Sequence, residues 1–278
     1  MGNPDGSSSD RMTKSGVRFR AVPFPVMRRI IVDFGRHWRR ASYVYGLCEF
    51  DVTRVREYIQ RVKEHTGEAL SFTAYIITCL ARAVAANRTI QAYRNWRNQF
   101  IIFEDVDVSL NIEIRRPEGV FPILHVIRAA HHKSFREIHD EIRSIQTDPK
   151  RTSAQGTINL LPWFLRLPQL VRDLVYWFFW HVPTLWKQQG GTVGVTSLGM
   201  FTRGGGFGIP ITNYPLSVCI GGIAERPAYV GETLMKRQFL DVTIALNHDT
   251  VDGGPATRFA NAFRELVESG SLLPEPSA

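Results

Sequence analysis

The sequence predicts an α/β (α+β) fold: one mixed β-sheet flanked by helices, with an inserted apolar helical segment. Three observations carry this. Helical and strand periodicities alternate irregularly along the 278 residues, without strict βα repetition. Hydrophobic residues make up 44% and charged residues 22%, which suits a globular core. Residues 158–186, "INLLPWFLRLPQLVRDLVYWFFWHVPTLW", are far richer in Trp, Phe and Leu than the rest.

The start, "MGNPDGSSSD", is polar and Gly/Ser-rich, so residues 1–20 are expected to be a flexible tail rather than a targeting segment. A domain is expected over 21–272, with an apolar helical insertion at about 156–187 and a short tail at 273–278. In "DVTRVREYIQRVKEHTG", Val52, Val55, Ile59 and Val62 share a helix face and Gly67 stops it. "SFTAYIITCLARAVAAN" is apolar nearly all round, with Ser71 as N-cap, and predicts a central buried helix. In "VDVSLNIEI", Val106, Val108, Leu110, Ile112 and Ile114 alternate with polar residues, the pattern of a half-buried strand. "FPILHVIRAA" reads as its neighbour. Phe135, Ile138, Ile142 and Ile145 mark the next helix, and "GTVGVTSLG", "LSVCIGGI" and "FLDVTIALN" three more strands. Pro255 is expected to open a last helix, with Phe259, Phe263, Leu266 and Val267 inward and Gly270 after its end.

Composition also excludes functions. Cys48, Cys79 and Cys219 are scattered, with neither disulfide nor zinc spacing, and point to a reducing, cytoplasmic setting. A net charge of +8 favours anionic partners. The basic residues are dispersed and no nucleic-acid-binding signature appears, so no nucleic acid is expected. His131 and His132 are adjacent, their side chains are expected to diverge, and they read as a polar turn; no metal is expected. "TRGGGFG" lacks the P-loop lysine and reads as a turn. Cys219 falls in an apolar strand.

The apolar segment is broken by Pro162, Pro168 and Pro183. Its charge-free part, Leu174 to Trp186, is too short to span a bilayer, which takes about 20 apolar residues. Short helices on the outside of the fold are expected. Two roles stay open: contact with a sister subunit, and peripheral contact with a membrane surface, where Trp and Tyr settle.

"ALNHDTVDGG" places His248 at a strand end, Asp252 four residues on, then Gly253 and Gly254. Spacing alone fits a catalytic base or an ordinary turn before a helix. The surrounding motifs decide. "PVMRRII", "YGLCEFDVTRVREY", "LSFTAYIITCLARAVAANRTIQAYRNW", "VDVSLNIE", "KSFREIHDEI", "QGGTVGVTSLGMF", "GIPITNYPLSVCIGGI" and "NHDTVDGGPATRFANAFRELVE" occur in one order. Together they resemble the catalytic domain of the 2-oxoacid dehydrogenase acyltransferase (dihydrolipoamide acyltransferase) family, with a chloramphenicol acetyltransferase-like fold, over most of 22–269.

The resemblance implies acyl transfer between thiols, with coenzyme A entering as acyl-CoA. It makes His248 the base and Thr196 the hydroxyl that stabilises the oxyanion, with Ser197 next to it. It makes Asp252 a structural partner, with Arg28 as the aligned cation, and places Asn247 and Gly253 beside the histidine as supporting residues. The family's Asp-His-Arg becomes Asn247-His248-Asp249 here, an acid in place of a base. It also implies a homotrimer or multiple of three, with His248 and Thr196 from neighbouring chains. About twenty residues precede the matched region, so no covalent lipoyl group is expected on this chain. A lipoyl carrier acting in trans or a hydrophobic acceptor would serve instead. The alternative is an inactive acyltransferase-like scaffold that assembles through the apolar segment.

Overall fold

The computed structural model describes residues 9–12, 18–22, 24–25, 28–38, 41–116, 119–153, 155–198 and 204–274. Its main sheet has six strands: β3 (Tyr43–Asp51), β6 (Val108–Arg116), β7 (Gly119–Ile127), β8 (Val193–Ser197), β9 (Leu216–Val230) and β10 (Thr233–Asn247). Their order is β3-β10-β9-β8-β6-β7. β8 runs parallel to both β6 and β9, and the other pairings are antiparallel. The sheet is therefore mixed, as the irregular alternation of elements predicts.

Four helices cover one face: α2 (Thr53–Thr66), α3 (Phe72–Ala86), α4 (Phe135–Thr147) and α8 (Gly253–Ser269). α3 lies in the middle. Its apolar residues are buried on every side, so it needs no polar face. Ser71 Oγ accepts the Ala74 N–H and starts the helix. Ser134 and Glu137 form a reciprocal capping box on α4. The Tyr75 hydroxyl donates to the carbonyls of Leu266 and Val267, which ties α3 to the end of α8. Phe263 meets Phe50 edge-to-face at 5.3 Å and locks α8 onto β3. α8 starts at Gly253, two residues before Pro255, because Pro is tolerated throughout the first turn, where its missing N–H has no partner to lose.

The opposite face is polar yet partly closed. Asp107, Ser109, Ser217, Asp241 and Thr243 are buried there. Asp107 and Ser109 correct the reading of β6 as half-buried: alternation reveals the apolar face but not what covers the polar one. Gly206 donates its N–H to Asp241 Oδ2, and its carbonyl accepts from Gly222 N. A Cβ on Gly221 would fall 2.3 Å from that carbonyl, so glycine is required where the loop crosses the sheet.

Several elements have weak or absent sequence signals. Residues in the expected tail pair as β1 (Ser9–Met12) with β2 (Arg18–Ala21). A second ribbon joins β4 (Tyr93–Arg94) to β5 (Phe100–Ile101). β9 and β10 are 15 residues each, well beyond their apolar stretches, and turn at Gly231, whose φ is 61°. The outer half of this hairpin is exposed, which is why polar residues and Pro227 are tolerated in it.

The apolar segment forms α5 (Gln155–Phe164), α6 (Gln169–His181) and α7 (Pro183–Gly190). Pro168 and Pro183 separate helices, but Pro162 lies inside α5 without ending it. α5 and α6 gather with α1 (Arg28–Trp38) into a lobe. Arg172 holds Asp33 through two bonds, at 2.9 and 3.3 Å, and both groups are buried. Arg29 donates to the carbonyl of Leu165, and Phe164 meets Tyr176 edge-to-face at 5.4 Å. The outward residues Leu160, Trp163, Leu170, Leu174 and Phe178 remain exposed. No helix among the described residues is long and apolar enough to cross a membrane.

Candidate active site

His248 comes directly after the last residue of β10 and is exposed. The turn that carries it is fastened from both sides. His248 N donates to Ser42 O at 2.7 Å, beside β3. Asn247 N donates to Pro215 O at 2.9 Å, beside β9. Asn247 also orders the rest of the turn: its Oδ1 accepts from Asp249 N at 2.9 Å, and its carbonyl accepts from Thr250 N and Val251 N, each at 3.1 Å. Val251 plugs the turn into the core. A rigid strand end thus presents an imidazole to solvent, on a backbone that has little freedom to shift.

Asp252 occupies the N-cap position of α8 but its side chain makes no capping bond, and both it and Gly253 are exposed. Arg28 opens α1 and is exposed. Among the described residues no ion pair joins Arg28 to Asp252 within the chain.

Thr196 and Ser197 end β8, half-buried. Thr196 is level with Cys219 on β9, and Cys219 is level with Thr243 on β10. His248 lies five residues further along β10 and two strands across. At about 3.4 Å per residue and 4.8 Å per strand, His248 and Thr196 are roughly 20 Å apart. The chain does not bring these two residues together by itself.

A pocket opens beside the His248 turn, with a cavity volume of about 320 Å³. Asn247 and Asp249 contribute to its wall, as do Tyr93, Trp180, Trp186 and Asn213. Asn213 is only 8% exposed, and its Oδ1 has no hydrogen-bond partner among the described residues. Sequence reasoning missed this pocket. Its residues come from five separate stretches, and the only local signals were the acid at 249 and the aromatic richness of 158–186.

α7 is held in place by a charge network. Asp107 accepts from Ala129 N at 2.8 Å and pairs with Arg128 at 3.0 Å and Lys187 at 3.1 Å. Burial works to raise the Asp107 pKa, but these donors outweigh it and hold the carboxyl below its ordinary value. His131 and His132 do not diverge as expected. Their ring centroids lie 3.8 Å apart with the planes tilted by 40°, at the 3₁₀ turn over 130–132. With Asp105, their ligand atoms lie within 4.8 Å of one another. Two features oppose a cation there: Lys187 pairs with Asp105 at 3.5 Å, and His131 Nδ1 accepts the Val106 N–H. Burial pushes the Cys219 thiol up, which disfavours a reactive thiolate.

Similarity to known proteins gives the family of this mixed-sheet fold. The chain belongs to the 2-oxoacid dehydrogenases acyltransferase (catalytic domain) family, whose model matches residues 17–156 and 184–273. The stretch between those matches, 157–183, holds most of α5 and all of α6. The dihydrolipoyllysine-residue acetyltransferase component of the pyruvate dehydrogenase complex from Acholeplasma laidlawii is 35% identical over 220 residues, 78% of this chain and 34% of that protein. Its counterpart from Mycoplasma capricolum is 23% identical over 236 residues, 82% of this chain and 45% of that protein. The chain thus spans less than half the length of these relatives. A probable dihydrolipoamide acetyltransferase from Listeria monocytogenes shares the fold with a TM-score of 0.66 at 20% identity, over 93% of this chain and 97% of that one. The cubic core of the pyruvate dehydrogenase multienzyme complex does so with a TM-score of 0.68 at 18% identity, over 94% and 96%.

Proposed function

We propose that the chain is an acyl-CoA-dependent acyltransferase whose site is completed between protomers of a homotrimer or a multiple of three. The observation that carries this reading is His248: an exposed imidazole on a turn pinned from two strands, inside the matched part of the family. A thiol with an ordinary pKa of about 8.5 needs a base at neutral pH, and a neutral imidazole supplies one. His248 takes the proton of the acceptor, the acceptor attacks the thioester carbonyl, and the proton passes to the departing coenzyme A thiolate. The oxyanion formed meanwhile is stabilised by the hydroxyl of Thr196.

The separation of roughly 20 Å within one chain supports a Thr196 supplied by the neighbour. Ser197 continues the strand end beside that hydroxyl. Arg28 and Asp252, both exposed within the chain, pair across the same contact. Asn247 and Gly253 shape the turn. The acceptor is a lipoyl thiol carried in trans or another nucleophile with a hydrophobic body. The free, scattered cysteines fit a cytoplasmic setting.

A screen of acyl-CoAs that reads thiol release tests this. Release that falls about 10²–10⁴-fold in a folded His248→Ala variant supports the reading. Release unchanged by that substitution contradicts it. One observation favours the second reading, an assembly scaffold: the α1–α5–α6 lobe exposes a broad apolar face. Absence of thiol release from every acyl-CoA tried would leave that reading standing.

A further inference from the structure

Two parts of the chain meet at one place. One is the pair flanking His248, Asn247 and Asp249. The other is the segment between the two matched stretches, residues 157–183, which contains Trp180 and His181 near its end. Residues from both line the same pocket of about 320 Å³. That volume suits a small-molecule site.

The pocket combines aromatic surface with hydrogen-bond acceptors. Trp180 and Trp186 offer aromatic surface. Asn213 offers a buried carbonyl oxygen with no partner among the described residues, and Asp249 an exposed carboxylate. His181 Nδ1 lies 2.8 Å from the Trp177 carbonyl, which can only accept. The proton therefore sits on Nδ1, and Nε2 is left as an acceptor in the neutral ring. Asn213, His181 and Asp249 favour a ligand that donates hydrogen bonds, and the Asp249 carboxylate and the aromatic faces favour positive charge. Arg94 at the same rim carries the opposing charge; its guanidinium is turned to Asn98 Oδ1, at 2.8 and 3.1 Å.

We propose that this pocket binds the acyl acceptor, and that the acceptor is a primary amine with an apolar or aromatic body. The proposal rests on the acyltransferase reading above. The amine arrives as an ammonium and loses one proton to solvent. Its nitrogen then forms the C–N bond with the thioester carbonyl while the C–S bond breaks. The second proton passes through His248 to the thiolate, giving an amide and free coenzyme A.

The test uses phenethylamine and 2-phenylethanol, which share a body and differ in charge, titrated against the whole protein by calorimetry. The amine is expected to bind saturably and about fivefold or more tighter than the alcohol. Asp249→Asn should lower that preference, Trp180→Ala should weaken both probes, and His248→Ala should leave binding intact. Equal affinity for the two probes, or a preference undiminished by Asp249→Asn, would overturn the proposal. Mass spectrometry with acyl-CoA then looks for the N-acyl product. Saturable amine binding without product, under conditions where thiols are acylated, overturns the acceptor assignment alone. Absence of transfer to any acceptor overturns the acyltransferase reading instead.

Discussion

The helix-covered face of the sheet and the α1–α5–α6 lobe bury their apolar residues in opposite ways. Under α3 and α8, Tyr75, Phe259, Phe263 and core residues from all six strands are all but inaccessible, and the polar atoms of that layer are spent on caps and carbonyls. In the lobe, the charged residues Arg172 and Asp33 are inside while Leu170 is 84% exposed. The first region completes its burial within one chain. The second is organised around an ion pair and leaves its apolar side for something else. Periodicity in the sequence describes the first arrangement well and describes the second poorly.

That contrast yields graded expectations. Phe263→Ala should destabilise the whole domain by about 3–5 kcal/mol, since it opens a cavity between Phe50 and Phe259. Chemical denaturation reads this, and a loss no larger than that of a lobe surface variant would dissolve the contrast.

Arg172→Leu should cost about 3–5 kcal/mol locally by leaving Asp33 buried without its guanidinium. Hydrogen exchange should quicken in α1, α5 and α6 and stay unchanged in the sheet. Equal acceleration in both would show that lobe and core unfold as one unit.

The Asp107 network between β6 and α7 supplies a pH test. Its carboxyl titrates lower in the folded chain than the unfolded value of about 3.9. Its contribution is therefore present above pH ~4 and lost as pH falls through the folded value. Asp107→Asn should flatten the acid limb of a stability–pH curve, and an unchanged limb would assign acid lability elsewhere. Leu170→Ser is expected to change stability least, by less than about 0.5 kcal/mol, since the side chain is already in water. A larger loss in a dilute sample would show that the lobe's outer face is covered.

The sequence made the core legible because burial there follows period. Val106, Val108, Leu110, Ile112 and Ile114 alternate, and all five are buried. His248 was legible through its strand end and glycine turn. The buried state of Asp107 and Ser109 was not, since it depends on loops and α7 packing from outside the strand's own pattern. The extensions of β9 and β10 escaped notice because an exposed hairpin arm needs no apolar alternation. The close His131–His132 pair depends on a backbone turn, with Ala129 at φ 45°, that adjacency alone does not reveal. The pocket at Asp249 and Asn213 was invisible for the simplest reason: residues 93, 180, 213 and 249 become neighbours only in the fold.

Mixed assemblies test the shared site most directly. His248→Ala and Thr196→Val chains, each nearly inactive alone, are co-expressed with different tags and the hybrids isolated. The proposed site takes His248 from one chain and Thr196 from the next, so each isolated hybrid trimer holds one complete site of three and should show about a third of wild-type activity. Hybrids no more active than their parents would contradict a site shared between protomers.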